Sequence, residues 1–229
     1  MTGELEIGRI AAAGDSALLI EFQQTIDSRI NARAIALAER LRRRCGTAVR
    51  DAVVGYATLT VYFDPLVVDG AWMEAEARDA VAVMDDVQVA GGSEIDVPVC
   101  YGGEFGPDIA EVAAFGGCSE EEVIALHVTT PYRVYMVGFV PGFAYMAAVD
   151  QRIAAPRRAA PRAAVPCGAV AIAGGQTGIY PAVTPGGWNI IGRTPLKPYD
   201  PERRAPFLLQ PGDTVKFRSV SRDEYEGMQ

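Results

Sequence analysis

GFVPGFAYM (residues 138–146), GGQTGIYP (174–181), PGGW (185–188) and GRTP (192–195) punctuate one stretch, residues 132–217, whose texture decides the fold. Eleven of the fifteen prolines and ten of the glycines lie between Gly138 and Gly212. Proline removes a backbone donor and glycine weakens a strand interior, so this punctuation reads as loops. The apolar runs left between the loops (132–137, 169–173, 188–191 and 214–220) read as short strands. Short strands divided by Gly/Pro turns predict a β-barrel or sandwich. Loops stiffened to this degree suit a binding cleft, which places the functional site in this stretch.

Working outward, residues 94–100 read as a strand, and 107–115 and 120–127 as two short helices. The second helix carries a capping-box pair, Ser119 with Glu122. Val89-Ala-Gly-Gly-Ser93 reads as a linker. Before it, residues 4–12 and 17–22 are strands around a Gly14-Asp15 turn. A helix follows, capped by Asp27 or Ser28, with Ile30, Ala34, Leu37, Ala38, Leu41 and Cys45 on one face and Gly46 as its stop. Residues 49–54 and 57–63 are strands, and 70–84 a helix with Trp72 as its largest apolar residue. The expectation is an α+β domain over residues 1–88, in the order ββαββα with helices on one face of an antiparallel sheet, then an all-β domain over 94–229. The first domain holds nothing like a catalytic constellation and reads as a packing or assembly domain.

With 229 residues, 49% of them hydrophobic, the chain can bury a real core. A net charge of −8 argues against nucleic acid as a partner. No apolar run approaches the roughly 20 residues of a membrane span, and the N-terminus lacks the features of a secretory leader, so a cytoplasmic protein is expected. Four scattered cysteines and a single histidine predict no metal site and reduced, structural thiols. Charge is unevenly spread. Residues 85–122 hold ten acidic residues and no Lys or Arg, whereas 150–204 hold eight basic residues against three acidic. The basic segment reads either as an anion-collecting patch or as a solvated rim, with Arg157 and Arg162, beside prolines, the better candidates for binding.

There is no P-loop, no nucleophile elbow and no HExxH. His127 reads either as a satisfied core or helix-end histidine or as a proton carrier at a cleft mouth. Gln176, Thr177 and Tyr180 occupy a glycine-flanked loop. They suit either turn chemistry or recognition of an amide, lactam or carboxylate. Trp188 reads as a core plug or a flat ligand wall, while the Gly186-Gly187 amides are free to hold an oxyanion. Phe139, Phe143 and Tyr145 read as barrel packing.

Taken in order, YRVYMVGFVPGFAYM (132–146), AAPRRAAPRAAVPCGAVAIAGGQTGIYP (154–181), TPGGWNIIGRTP (184–195) and LLQPGDTVKF (208–217) resemble the KipI / allophanate hydrolase subunit 1 family, also known as the B-type subunits of 5-oxoprolinase. GDSALLIEF, RDAVVGYATLTVYFDP and IDVPVCYGGEFGPDI in the N-terminal half fit the same pattern, so the resemblance covers nearly the whole chain. It implies a C-terminal cyclophilin-like barrel, without implying prolyl isomerase activity. It also implies a partner of the KipA / allophanate hydrolase subunit 2 type, a third subunit of the LamB/YcsF type, and ATP as co-substrate in opening 5-oxoproline to glutamate. Two other activities occur in the family, inhibition of a sporulation histidine kinase and carboxyl transfer to urea. Carried onto this chain, the resemblance marks His127, Gln176 and Arg162 as catalytic candidates. Arg157, Gly175, Tyr180, Gly186, Gly187 and Arg193 become candidates for binding substrate or nucleotide. Cys167 and Ala169 depart from the small or hydroxylic residues expected there, which speaks against a serine-based role for their loop.

Overall fold

A computed structural model describes residues 7–84 and 92–228, and divides the chain into two units, Met1–Gly91 and Gly92–Gln229. Residues 4–6 of the expected first strand, residues 89–91 of the expected linker and the expected domain end at 88 lie outside the described residues.

In the first unit, β1 (Ile7–Ala12), β2 (Ala17–Phe22), β3 (Val49–Val54) and β4 (Thr58–Phe63) form an antiparallel sheet in the order β1-β2-β4-β3. Period two decides which face meets the core: Leu59, Val61 and Phe63 are buried, and Tyr62 between them is exposed. Helices α1 (Ser28–Cys45) and α2 (Gly70–Ala82) share one hydrophobic cluster with these strands. Helix α1 begins where the Asp27 carboxylate accepts the Arg29 N–H at 2.7 Å, and ends at Gly46, whose φ of 54° suits glycine. Helix α2 buries Met73, Ala77 and Ala80 and leaves Trp72 39% exposed.

The second unit is built on β5 (Glu94–Tyr101), β6 (Tyr132–Val137), β7 (Ala144–Ala147), β9 (Ala169–Ala173), β10 (Gln176–Ile179), β12 (Asn189–Arg193) and β13 (Thr214–Ser219), and a separate ribbon pairs β8 (Arg162–Val165) with β11 (Thr184–Gly186). The seven strands close into a barrel in the order β10-β7-β6-β13-β5-β12-β9, with only β5 and β13 parallel. The two helices expected at 107–115 and 120–127 are present, and with a further C-terminal helix they make this unit a barrel with helices rather than all-β. Helices α3 (Ile109–Gly116) and α4 (Glu120–Thr129) add Ile109, Val112 and Val123 to the barrel core, and α5 (Arg222–Gly227) follows β13. Among the described residues no helix is long and apolar enough to cross a membrane.

Four short strands lie within what the sequence reads as loop: β7, β8, β10 and β11. The reason is packing on both faces of the barrel wall. Ala144, Met146, Val170, Ile172 and Ile179 point into the barrel core. On the outer face stand small residues, Ala169, Ala171, Ala173 and Gly178, and a second cluster with Phe143, Tyr180 and Trp188 covers them. A Cβ on Gly178 would lie 3.0 Å from the Ala144 carbonyl oxygen and 3.1 Å from the Phe143 ring. Glycine marks a close approach within a strand rather than the strand's end.

Candidate functional site

That outer aromatic cluster opens into a cavity of about 440 Å³ between the barrel wall and the β8–β11 ribbon, within the size range of small-molecule sites. Phe143 is its hub. The ring makes edge contacts with Phe139, Tyr145, Tyr180 and Trp188, at centroid distances of 5.8, 4.7, 5.1 and 5.4 Å. The Arg157 guanidinium lies 5.8 Å from the centre of the Trp188 ring, a cation–π placement at the cavity wall. The buried Tyr180 hydroxyl lies beside the Trp188 backbone N–H, on the cavity wall. Burial pushes the Tyr180 and Tyr145 phenols up, and nearby Arg157 pulls both the other way. A Cβ at Gly186 would run into the Tyr180 ring and hydroxyl, so glycine there lets the tyrosine pack against the ribbon. The Gly187 carbonyl accepts the Arg158 N–H at 2.8 Å, tying this wall to the arginine-bearing loop.

The three arginines of residues 156–162 divide their work. Arg162 forms a bidentate pair with Asp108 at 2.7 and 2.8 Å, and Arg158 reaches Asp108 at 2.7 Å and Glu111 at 2.9 Å. Asp108 is 1% exposed and also accepts the Ile190 backbone N–H at 2.7 Å. A buried carboxylate this well satisfied is a structural clamp. The acidic and basic segments of the sequence therefore partly neutralise each other across the fold. Arg157, exposed and with no carboxylate paired to it among the described residues, is the cation of this loop presented to the cavity.

His127 is placed elsewhere. It lies within the second unit with no exposure, stacked on Phe217 at 4.4 Å, rather than at a cleft mouth. Its hydrogen bonds fix the tautomer. The Thr177 hydroxyl donates to the Ala171 carbonyl at 3.1 Å and so accepts from His127 Nε2 at 3.0 Å. Nδ1 is then the acceptor for the Tyr101 hydroxyl at 2.8 Å. Burial lowers the imidazole pKa to about 3, so the ring is neutral.

Of the other expected residues, Tyr180, Gly186 and Gly187 line the cavity with Arg157, while Gln176, Gly175 and Arg193 do not. Gln176 opens β10 opposite Ala147 and Ala173, the Gly175 carbonyl accepts the Val149 N–H at 3.0 Å, and Arg193 Nε donates to the Cys167 carbonyl at 3.0 Å. Phe139, Phe143 and Tyr145, which the sequence reads as barrel packing, line the cavity, and Asp108, which the sequence does not single out, holds its arginine loop. Asp108 leaves one signal, as an acidic residue just ahead of a short helix. Among the described residues no cluster of His, Cys, Asp and Glu could hold a metal, and the four cysteines are free.

The tip of the β6–β7 hairpin shapes the cavity mouth. Val140 N–H bonds to the Gly138 carbonyl at 2.8 Å around Phe139, whose φ is 67°, forming the rare positive-φ γ-turn. A turn with Pro141 and Gly142 at its centre follows, closed by Phe143 N–H to the Val140 carbonyl at 3.1 Å. Gly142 has a φ of 85°, and a Cβ there would sit 2.7 Å from the Cβ of Tyr199.

Among known proteins, the family described as carboxyltransferase domain, subdomain C and D, matches residues 8–209. The chain is 40% identical to the B-type subunit of 5-oxoprolinase from Bacillus subtilis (strain 168), covering 95% of each chain. It is 38% identical to the corresponding 5-oxoprolinase subunit of Escherichia coli O157:H7, over 93% of this chain and 96% of that one. The solved structure of TTHA0988 is similar with a TM-score of 0.81 at 38% identity, over 90% of this chain and 40% of that one. The chain thus spans about two fifths of that longer protein.

Proposed function

The chain belongs to the carboxyltransferase subdomain C and D family, among the B-type subunits of 5-oxoprolinase, and on that premise we propose that it is a subunit of a complex that opens 5-oxoproline to glutamate with ATP. The cavity beside Trp188 receives the lactam. The placement rests on one observation: Arg157 is held over an aromatic wall with no carboxylate paired to it among the described residues, in a loop whose other arginines are consumed by Asp108. A carboxylate on a small ring meets a guanidinium there, and the ring meets Trp188 and Phe143. The Tyr180 hydroxyl, still carrying its proton, faces the lactam carbonyl, and glycines 186 and 187 let the substrate approach the backbone.

The chain has no P-loop, so the nucleotide is shared with partners. These are a subunit of the KipA / allophanate hydrolase subunit 2 type and one of the LamB/YcsF type. In this reading the first unit serves assembly, Arg162 holds the Arg157 loop in place, and His127 fills the barrel. Gln176 and Arg193 act outside the lactam cavity.

The test is 5-oxoproline-dependent ATP hydrolysis by this chain with both partner subunits. Arg157→Ala is expected to raise KM for 5-oxoproline about tenfold or more, the worth of one charge-assisted contact, and to leave complex assembly intact. Absence of turnover with all three subunits folded and mixed would sink the reading.

A further inference from the structure

We infer that Phe139 is a specificity-determining residue that closes over the ring methylenes of the bound substrate; this rests on the cavity being the lactam site. Two unfavourable features coincide at this position. Its backbone holds a non-glycine residue at φ 67°, in a γ-turn closed by Val140 N–H to the Gly138 carbonyl. A left-handed conformation is disfavoured for any residue with a Cβ, and more so for a bulky one. Its side chain is also 62% exposed, the ring projecting from the cavity wall with one edge contact to Phe143. Packing alone explains neither feature, since a ring this exposed contributes little to a core. Glycine, with no Cβ, would fit the turn without strain.

The geometry explains both together. The γ-turn directs the chain so that the residue after Gly138 stands at the cavity mouth, and the Pro141-Gly142 turn behind it fixes the hairpin tip. The lining of the same cavity carries Trp188 and the Arg157 guanidinium. A ligand whose anionic group meets Arg157 has its ring between Trp188 and Phe139. The exposed ring of Phe139 then loses its exposure on binding, which is the gain that offsets the strained turn. The occupant this selects is a small saturated ring bearing one carboxylate, and acyclic amides lacking the ring gain little from Phe139.

The experiment is a calorimetric titration of 5-oxoproline into the assembled complex, with wild type, Arg157→Ala, Phe139→Ala, Phe139→Gly and Phe139→Leu compared, and thermal melts of each isolated chain. Both Phe139→Ala and Phe139→Gly should weaken 5-oxoproline binding about tenfold or more, and Phe139→Leu should restore most of it. Because both small variants remove the ring, their difference isolates the backbone: Phe139→Gly should melt about 2–4 °C above Phe139→Ala. If Arg157→Ala weakens binding and the Phe139 variants do not, the inference fails and the cavity assignment stands. If the Phe139 variants instead weaken subunit assembly and leave 5-oxoproline binding unchanged in the assembled complex, Phe139 faces a partner and the inference fails. If neither Arg157→Ala nor the Phe139 variants change binding, the lactam lies elsewhere and both fail.

Discussion

His127, the chain's single histidine, spends all its hydrogen-bonding capacity in one direction, from the Tyr101 hydroxyl through the ring to Thr177 and on to the Ala171 carbonyl. Protonation would place a second donor on Nδ1, facing a Tyr hydroxyl that is already donating, and a charge among aromatic rings. The cost of charging the ring is what lowers its pKa from the ordinary 6.5 to about 3. Between those values the unfolded chain binds a proton that the folded chain refuses. The contribution to stability is therefore complete above pH 6.5 and is lost as pH falls toward 3, by about 1.4 kcal/mol per pH unit. The hydrogen-bonded carboxylates shifted downward, such as Asp27 and Asp150, respond only at more acidic pH. Urea unfolding at pH 6.5 and pH 5 should thus show a loss of about 2 kcal/mol in wild type. His127→Gln, less stable at neutral pH because it cannot complete the chain, should lose far less over the same interval. Equal losses in the two proteins would show that His127 does not titrate on unfolding.

At the scale of elements, Asp108 holds the start of α3, the loop of residues 156–162 and the head of β12 together through Arg158, Arg162 and the Ile190 N–H. Asp108→Ala leaves two arginines beside each other with their shared carboxylate gone. The expected loss is about 3 kcal/mol, at the lower end for a broken buried pair because both guanidiniums are partly solvated. Urea unfolding followed at Trp188 measures it, and an unchanged midpoint would refute the clamp. Asp108 also marks where sequence reading runs out. Its partners lie 50 and 54 residues away, a pairing that no local pattern encodes. The strands of the first unit are legible because one face is buried and the other wet, which writes period two into residues 58–63. Strand β10 is illegible because both faces are buried: Thr177 and Ile179 turn into the barrel, and Gly178 must be bare for Phe143 to lie on it. The cavity is legible in part. Arg157, Tyr180 and the glycine pair stand out by their chemistry, whereas Phe139 reads as packing because a positive φ on phenylalanine leaves no mark in composition.

For the molecule as a whole, each hydrophobic cluster lies within one of the two units, and the chain's two tryptophans are divided between them, Trp72 in the first and Trp188 in the second. Each ring therefore reports on its own unit: Trp72 stands exposed on α2, which contributes Met73 to the first core, and Trp188 belongs to the cluster over the barrel wall. Separate cores predict separable unfolding. Leu59 is fully buried in the first unit, and Leu59→Ala should cost about 2–5 kcal/mol there by leaving a cavity. Followed in a Trp188→Phe background, where only Trp72 emits, the urea midpoint should drop by that amount divided by the slope of the transition. Followed in a Trp72→Phe background, the Trp188 transition should stay where it was, and 5-oxoproline binding by the assembled complex should be unchanged under native conditions. A drop of equal size at both reporters would mean that the two cores unfold as one cooperative body. In that case the first unit would help to stabilise the cavity, and substitutions in its sheet would have to be counted among those that perturb the site.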